Sequence, residues 1–147
     1  MIDGNGDIHI AGIGCASPEC SLDQDAALRS LKRHYGQHLT EHSRELLEQF
    51  FGHPCVRTRH FAIERPEELF GEDPDRRMER FRESAVRLST RAARHAMDRA
   101  GVAPGDLVGV VVNTCTGYIC PGLSNYLIEE LGLRKDIKAY DLVGSGC

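Results

Sequence analysis

The sequence lacks the features of a nucleic-acid-binding, membrane or exported protein. It has 18 Lys and Arg against 22 Asp and Glu, a net charge of −4, so no basic field would hold a polyanion. Its apolar runs, such as the three valines at 110–112, are far shorter than the roughly 20 residues needed to span a bilayer. Residues 1–7 are polar and acidic, where a secretory signal would be basic and then apolar. We therefore expect a cytoplasmic protein with no membrane or nucleic-acid partner and a flexible leader at 1–7.

Size and cysteine content indicate an ordinary globular domain with reduced thiols. The chain has 147 residues, of which 41% are hydrophobic and 27% charged, as is usual for one domain. Six cysteines in a chain without an export signal are expected to be thiols, and a disulfide framework is the minor alternative. The functional question is then which of these thiols is reactive.

The hydrophobic pattern predicts strands that alternate with helices. Helices are expected over four segments with apolar stripes or capping residues: 22–35, where Ser21 and Gln24 form a capping box, 41–51, 74–100 and 123–131. Strands are expected at 8–14, 107–112 and 137–143, with an extended segment at 56–63. Residues 107–112 are apolar at odd and even positions alike, which predicts a central parallel strand covered on both faces. The order strand, long helix, strand, helix, strand indicates an α/β fold.

A glycine-rich turn after the last predicted strand places a cysteine where a helix would begin. In the sequence Gly144-Ser145-Gly146-Cys147 the glycines permit a sharp turn of the nucleophile-elbow kind, which lifts a side chain clear of the sheet. Peptide dipoles at a helix N-terminus favour the thiolate over the thiol. Cys147 is therefore the candidate catalytic nucleophile. The alternative is that Cys147 is a small, inert residue packed behind the strand.

Five motifs occur in order along the chain and carry a family resemblance. They are residues 8–18, 56–60 (VRTRH), 113–122 (NTCTGYICPG), 131–134 (LGLR) and 141–147 (DLVGSGC). Together they resemble the type III polyketide synthases, the chalcone and stilbene synthase family. The resemblance implies a thiolase-like αβαβα condensing-enzyme fold, of which residues 8–147 would be the N-terminal half, ending at the nucleophile. The C-terminal half of the same polypeptide, with a His and an Asn that complete the catalytic set, would lie beyond this sequence.

The same resemblance implies roles for individual residues. Cys147 would be the catalytic cysteine, and Cys115 and Thr116 would line the acyl cavity. Cys120 would lie on a loop that reaches across a homodimer interface into the partner's cavity. The implied reaction is transfer of an acyl group from a starter acyl-CoA to Cys147, followed by decarboxylative Claisen condensation with malonyl-CoA to make a polyketide. No metal or redox cofactor is implied, since CoA thioesters are the substrates.

One departure from the family concerns the phosphates of CoA. Plant members place basic residues before the arginine-bearing segment, whereas the corresponding positions here are Leu46, Gln49 and His53. Arg57 and Arg59 are therefore the candidates for contacts with the CoA phosphates. Alternatively, a residue of the missing half makes these contacts, or the acyl donor arrives on a carrier protein.

Two other functions fit the same residues. A ketoacyl-ACP synthase III-like condensing enzyme would share the fold and the cysteine, but the loop at 117–122 favours the polyketide branch. A catalytically silent half-domain, acting as an interaction subunit, would expose the surface meant for the second half. A zinc site at His34, His38 and His42 is not expected, because Gly36 interrupts the helix that would align them.

Overall fold

The computed structural model describes residues 7–65, 67 and 70–144, and the chain divides into two compact units. The smaller unit is Ser17–Asp73, and the larger unit combines Met1–Ala16 with Pro74–Cys147. The leader expected at 1–7 lies, apart from Asp7, outside the described residues. The single half-domain expected over 8–147 stays a prediction. No helix in the described ranges is both long and apolar enough to cross a bilayer.

The smaller unit contains two helices and a two-stranded antiparallel sheet. Strands β1 (Cys20–Asp23) and β2 (Thr58–Phe61) pair from Cys20 opposite Phe61 to Asp23 opposite Thr58. Helix α1 (Gln24–Tyr35) continues through a 3₁₀ turn at Gly36–His38 to helix α2 (Glu41–Phe51). The sequence predicted α2 with these bounds, and β2 lies inside the extended segment expected at 56–63.

Helix α1 begins two residues later than the sequence predicts. Its N-cap is Asp23, whose carboxylate accepts a hydrogen bond from the Ala26 amide at 2.6 Å. Ser21, the predicted capping residue, lies in β1 opposite His60. The capping-box prediction is wrong because strand pairing keeps the backbone extended as far as Asp23, which is itself a good N-cap.

A buried glutamine joins the elements of the smaller unit. Gln24 is 7% exposed; its Nε2 donates to the Phe51 carbonyl at 3.3 Å, and its Oε1 accepts from Arg59 Nε at 2.5 Å. An exposed ion pair between Lys32 and Glu48 links α1 to α2. Since a buried amide requires hydrogen-bond partners, Gln24 ties β2 and the end of α2 to the start of α1.

The larger unit is built on a parallel pair of strands with helices packed on one face. Helix α3 (Pro74–Ala100) is followed by β3 (Gly109–Thr114), α4 (Leu123–Leu131) and β4 (Lys138–Val143). The strands pair from Gly109 opposite Lys138 to Thr114 opposite Val143. The core consists of three buried leucines and the apolar residues packed against them: Leu127, Leu131, Leu133, Ala93, Val110 and Val112. Both predicted helices are confirmed, and both strands lie within two residues of their predicted positions.

The second face of this sheet is apolar and exposed. Val111 is 64% exposed, and Tyr140 and Leu142 on β4 are 57% and 44% exposed. Val110 and Val112, on the opposite face of β3, are half-buried against the leucine core. The described residues supply helices for one face of β3 only, so coverage of its second face stays a prediction.

The first predicted strand, at 8–14, is not a strand in the structure. Ile8 makes an isolated bridge, and residues 9–16 have no regular secondary structure but follow the backbone of α3. A Cβ atom at Gly12 would lie 2.5 Å from the Ala96 carbonyl oxygen, and one at Gly14 would lie 2.0 Å from the Ala92 oxygen. The strand prediction is wrong because the small residues of this segment allow close approach to a helix rather than pairing in a sheet.

Candidate active site

Three of the predicted site residues lie on the loop that joins β3 to α4. This β3–α4 loop, residues 115–122, carries Cys115, Thr116 and Cys120, all of them exposed. Cys115 Sγ lies 3.9 Å from Thr116 Oγ1. The five described cysteines, at positions 15, 20, 55, 115 and 120, are thiols. The structure therefore brings the two proposed cavity residues together at the end of β3 and places Cys120 further along the same loop.

The first half of the loop is held by β3, β4 and α3. Thr114 Oγ1 donates to the Gly117 carbonyl at 3.2 Å, and the Thr114 carbonyl accepts from the Gly144 amide at 2.9 Å. Gly117 lies against the ring of Phe81 on α3, where a Cβ atom would be 2.5 Å from Cδ1. The loop is thus packed on Phe81, a residue of α3 that precedes Gly117 by 36 positions in the sequence.

The second half of the loop is held by Asp141 on β4. The Ser124 amide donates to Asp141 Oδ1 at 3.0 Å, and the Ser124 hydroxyl donates to Oδ2. Gly122, the N-cap of α4, has no side chain to cap the helix, and a Cβ atom there would lie 2.2 Å from Asp141 Oδ2. The Asp141 carboxylate therefore takes the place of an N-cap side chain, with its charge at the positive end of the helix dipole.

Sequence reasoning missed this contact, although a signal for it exists. Asp141 is an acidic residue inside a predicted strand, and α4 begins after Gly122, which offers no capping side chain. A carboxylate in a strand beside an uncapped helix start indicates a cap supplied from elsewhere in the sequence.

The chain that leads to Cys147 leaves the sheet beside the β3–α4 loop. Strands β3 and β4 are parallel and in register to Thr114 and Val143, so the segments that follow them start at the same edge of the sheet. Gly144, the first residue after β4, has φ of +70°, a backbone conformation that favours glycine. Cys147 itself lies outside the described residues, and its catalytic role stays a prediction.

The two candidate arginines for CoA phosphates lie in the smaller unit and differ in their contacts. Arg59 is half-buried, donates to Gln24 and places its guanidinium carbon 4.7 Å from the centroid of the Phe51 ring. Arg57 is exposed, and its backbone carbonyl accepts from the Gln24 amide at 3.0 Å. Because the Arg59 guanidinium serves internal packing, the geometry favours Arg57 as the phosphate ligand, and both roles stay predictions.

The arginine-rich face of α3 has mixed charge. Four arginines and three acidic residues line the groove between α3 and α4: Arg82, Arg87, Arg91, Arg94, Glu83, Asp98 and Glu130. Arg82 pairs with Glu79, and Arg94 Nη2 donates to the Glu130 carbonyl at 2.8 Å. This mixture is typical of a solvated helix face. Within the described ranges, no group of three His, Cys, Asp or Glu residues is placed to hold a metal ion.

Comparisons with known proteins agree on one protein family. The family model described as FAE1/Type III polyketide synthase-like protein matches residues 15–147. Among curated relatives, the 3,5-dihydroxyphenylacetyl-CoA synthase of Amycolatopsis balhimycina is 36% identical over 70 residues, which are 48% of this chain and 19% of that protein.

Solved structures show the same relationship. PKS-I from the brown alga Ectocarpus siliculosus superposes with a TM-score of 0.75 and 29% identity, over 94% of this chain and 40% of that one. A fungal type III polyketide synthase gives a TM-score of 0.75 and 28% identity, over 94% of this chain and 37% of that one. The chain thus spans less than half the length of each relative. The predicted fold, α/β and the N-terminal part of a thiolase-like architecture, is confirmed.

Proposed function

The chain belongs to the FAE1/type III polyketide synthase-like family, and on that premise we propose that it supplies the nucleophile-bearing part of an acyltransferase. The reaction is decarboxylative Claisen condensation of an acyl-CoA starter with malonyl-CoA, which makes a polyketide. The observation that carries this proposal is the family match over residues 15–147, since it includes both the β3–α4 loop and Cys147.

Cys147 is the proposed nucleophile of the reaction. Its thiolate attacks the thioester carbon of the starter, and the CoA thiolate leaves, so the acyl group is held on sulfur. Loss of CO₂ from malonyl-CoA leaves an enolate, which attacks this acyl carbon and forms the new C–C bond as the Cys147 thiolate departs. A His and an Asn of the C-terminal half of the polypeptide would stabilise the enolate oxygen. We propose CoA thioesters as the substrates, with no metal or redox cofactor.

The geometry of the larger unit supports the proposed cavity and partners. Cys115 and Thr116 are exposed at the sheet edge from which the chain continues toward Cys147, which is where an acyl cavity would need to lie. Cys120 is exposed further along the loop, which suits a residue that reaches the cavity of a second copy in a homodimer. The exposed apolar sheet face at Val111 and Tyr140 suits contact with the C-terminal half.

Mass spectrometry after incubation with an acyl-CoA tests the proposal. We expect one acyl group per chain on Cys147, and we expect the variant Cys147→Ser to lose the adduct. Cys55→Ser is the matched control, because it removes an exposed thiol outside the candidate site while leaving Cys147 intact. An adduct on Cys115 or Cys120 that persists in Cys147→Ser would show that the nucleophile has been assigned to the wrong residue.

A carrier protein is a second candidate for delivery of the acyl group. The reason is that the Arg59 guanidinium, a candidate ligand of the CoA phosphates, is already engaged within the smaller unit. We expect Arg57→Ala to raise KM for acyl-CoA while leaving KM for an acyl-pantetheine, which lacks the nucleotide phosphates, unchanged. Equal KM values for both donors in the unaltered protein would favour carrier-protein delivery. Since CoA thioesters of this kind are cytoplasmic metabolites, we propose the cytoplasm as the compartment.

A further inference from the structure

Asp141 connects the two chain segments that carry the candidate site residues. It lies on β4, two residues before the strand ends at Val143. The residues that it contacts, Gly122 and Ser124, follow directly after Cys120 and Pro121 of the β3–α4 loop. Ser124, the second residue of α4, is 1% exposed, so the start of the helix that follows the loop lies in the interior of the larger unit.

The hydrogen bonds between Asp141 and Ser124 constrain the orientation of the start of α4 as well as its distance from β4. Each oxygen of the Asp141 carboxylate accepts one hydrogen bond from Ser124, one from the backbone amide and one from the side chain. Two donors on a single residue that face a charged acceptor restrict both the rotation and the displacement of the loop end. The carboxylate also occupies the space that a side chain at position 122 would fill.

The geometry points to Asp141 as a positioning residue, whose carboxylate sets the place of the loop carrying Cys120 relative to the strand that leads to Cys147. This inference rests on the proposed function for its effect on activity. Asp141 makes and breaks no bond with substrate; it acts through Ser124 and the loop. We therefore expect it to govern condensation, which depends on the walls of the cavity, more than the first acyl transfer to Cys147.

Two substitutions at Asp141 and one control variant distinguish the effect of losing this carboxylate from other effects of substitution in this region. Asp141→Asn keeps one acceptor oxygen and presents an amide donor where Ser124 also donates, whereas Asp141→Ala removes both acceptors. Asp136→Ala is the matched control, because Asp136 is an exposed carboxylate that pairs with its near neighbour Arg134. Circular dichroism of the full-length protein first establishes that each variant is folded.

The first measurement compares the two steps of the proposed reaction. For Asp141→Ala we expect kcat for condensation to fall about tenfold or more, because both charge-assisted hydrogen bonds to Ser124 are lost, and we expect the mixture of product chain lengths to change. Acylation of Cys147 should stay within about twofold of the unaltered protein. The kcat of Asp141→Asn for condensation should lie between those of Asp141→Ala and the unaltered protein. The kcat of Asp136→Ala should match that of the unaltered protein.

The second measurement needs no enzymatic activity. The rate at which iodoacetamide alkylates Cys120 reports the position of the loop, and Cys55 in the smaller unit is the internal reference because it too is an exposed thiol. We expect Asp141→Ala to change the rate at Cys120 about threefold or more, with no change at Cys55, since thiol reactivity follows local exposure and charge.

A third test uses the contact at Gly122. Its φ of −60° suits alanine, and the atoms nearest to a Cβ atom at Gly122 belong to the Asp141 carboxylate. We expect Gly122→Ala to change Cys120 alkylation strongly in the unaltered protein and little in the Asp141→Ala background. Additive effects would overturn the inference.

The outcomes distinguish this inference from the proposed function. If the unaltered protein fails to acylate Cys147, the proposed function is wrong, while alkylation of Cys120 still decides whether Asp141 positions the loop. If alkylation is unchanged in folded Asp141→Ala, or if condensation and product lengths are unchanged in an active protein, Asp141 is not a positioning residue.

Discussion

The close approach of residues 12–14 to α3 makes Gly14→Ala a sharp test of the fold. A Cβ atom at Gly14 would lie 2.0 Å from the Ala92 carbonyl oxygen and 2.5 Å from the Ala96 amide nitrogen, and both are backbone atoms of a helix. Neither atom can rotate away, so the segment must separate from α3. Overpacking of this kind costs about 1–3 kcal/mol of unfolding free energy. Urea-induced unfolding followed by far-UV circular dichroism measures the loss.

Gly105→Ala is the matched control for this prediction. Gly105 has no atom within 4 Å of its ideal Cβ position, so alanine there should be neutral or should stabilise by up to about 1 kcal/mol through the unfolded state. Gly12→Ala, with its nearest atom at 2.5 Å, should destabilise less than Gly14→Ala. If Gly14→Ala unfolds at the same urea concentration as Gly105→Ala, the segment does not lie against α3.

Other expectations follow from contacts elsewhere in the chain. Leu127→Ala, at the centre of the leucine core, should lower the unfolding free energy by about 2–5 kcal/mol, as measured by urea unfolding. Lys32 holds the pKa of Glu48 below its ordinary value of 4.5 by a hydrogen bond and by its charge, so ionised Glu48 stabilises the folded state. That contribution is present above pH 4.5 and is lost as the pH falls through the lower folded value. The stability difference between the unaltered protein and Glu48→Gln should therefore shrink in acid. Arg59→Ala should destabilise the smaller unit, whereas Arg57→Ala should leave its melting temperature unchanged.

Local signals made the helices predictable. The apolar stripes of α3 and α2 and the glycine after α4 all lie within one or two turns of the structure that they define. The sequence predicts the start of α1 two residues early because two capping residues, Ser21 and Asp23, compete there. Pairing of Ser21 with His60, 39 residues away, decides in favour of Asp23.

The missed features depend on contacts between distant segments. The pattern at 8–14 fits both a strand and a small-residue segment against a helix, and only the position of Ala92 and Ala96 separates the two. The hydrogen bond between Ser124 and Asp141 joins residues 17 positions apart in the sequence, and no local motif predicts it. The candidate site residues on the β3–α4 loop were identified by family resemblance, whereas the residues that hold this loop in place came only from the structure.

The open face of the β3–β4 sheet has a consequence during synthesis. A polypeptide leaves the ribosome from its N-terminus, so this sheet can form before any later segment is available to lie on Val111, Tyr140 and Leu142. During that interval a row of valine, tyrosine and leucine side chains stays in water, where such surfaces bind chaperones or other nascent chains. Translation speed and chaperone supply should therefore affect the yield of correctly folded protein.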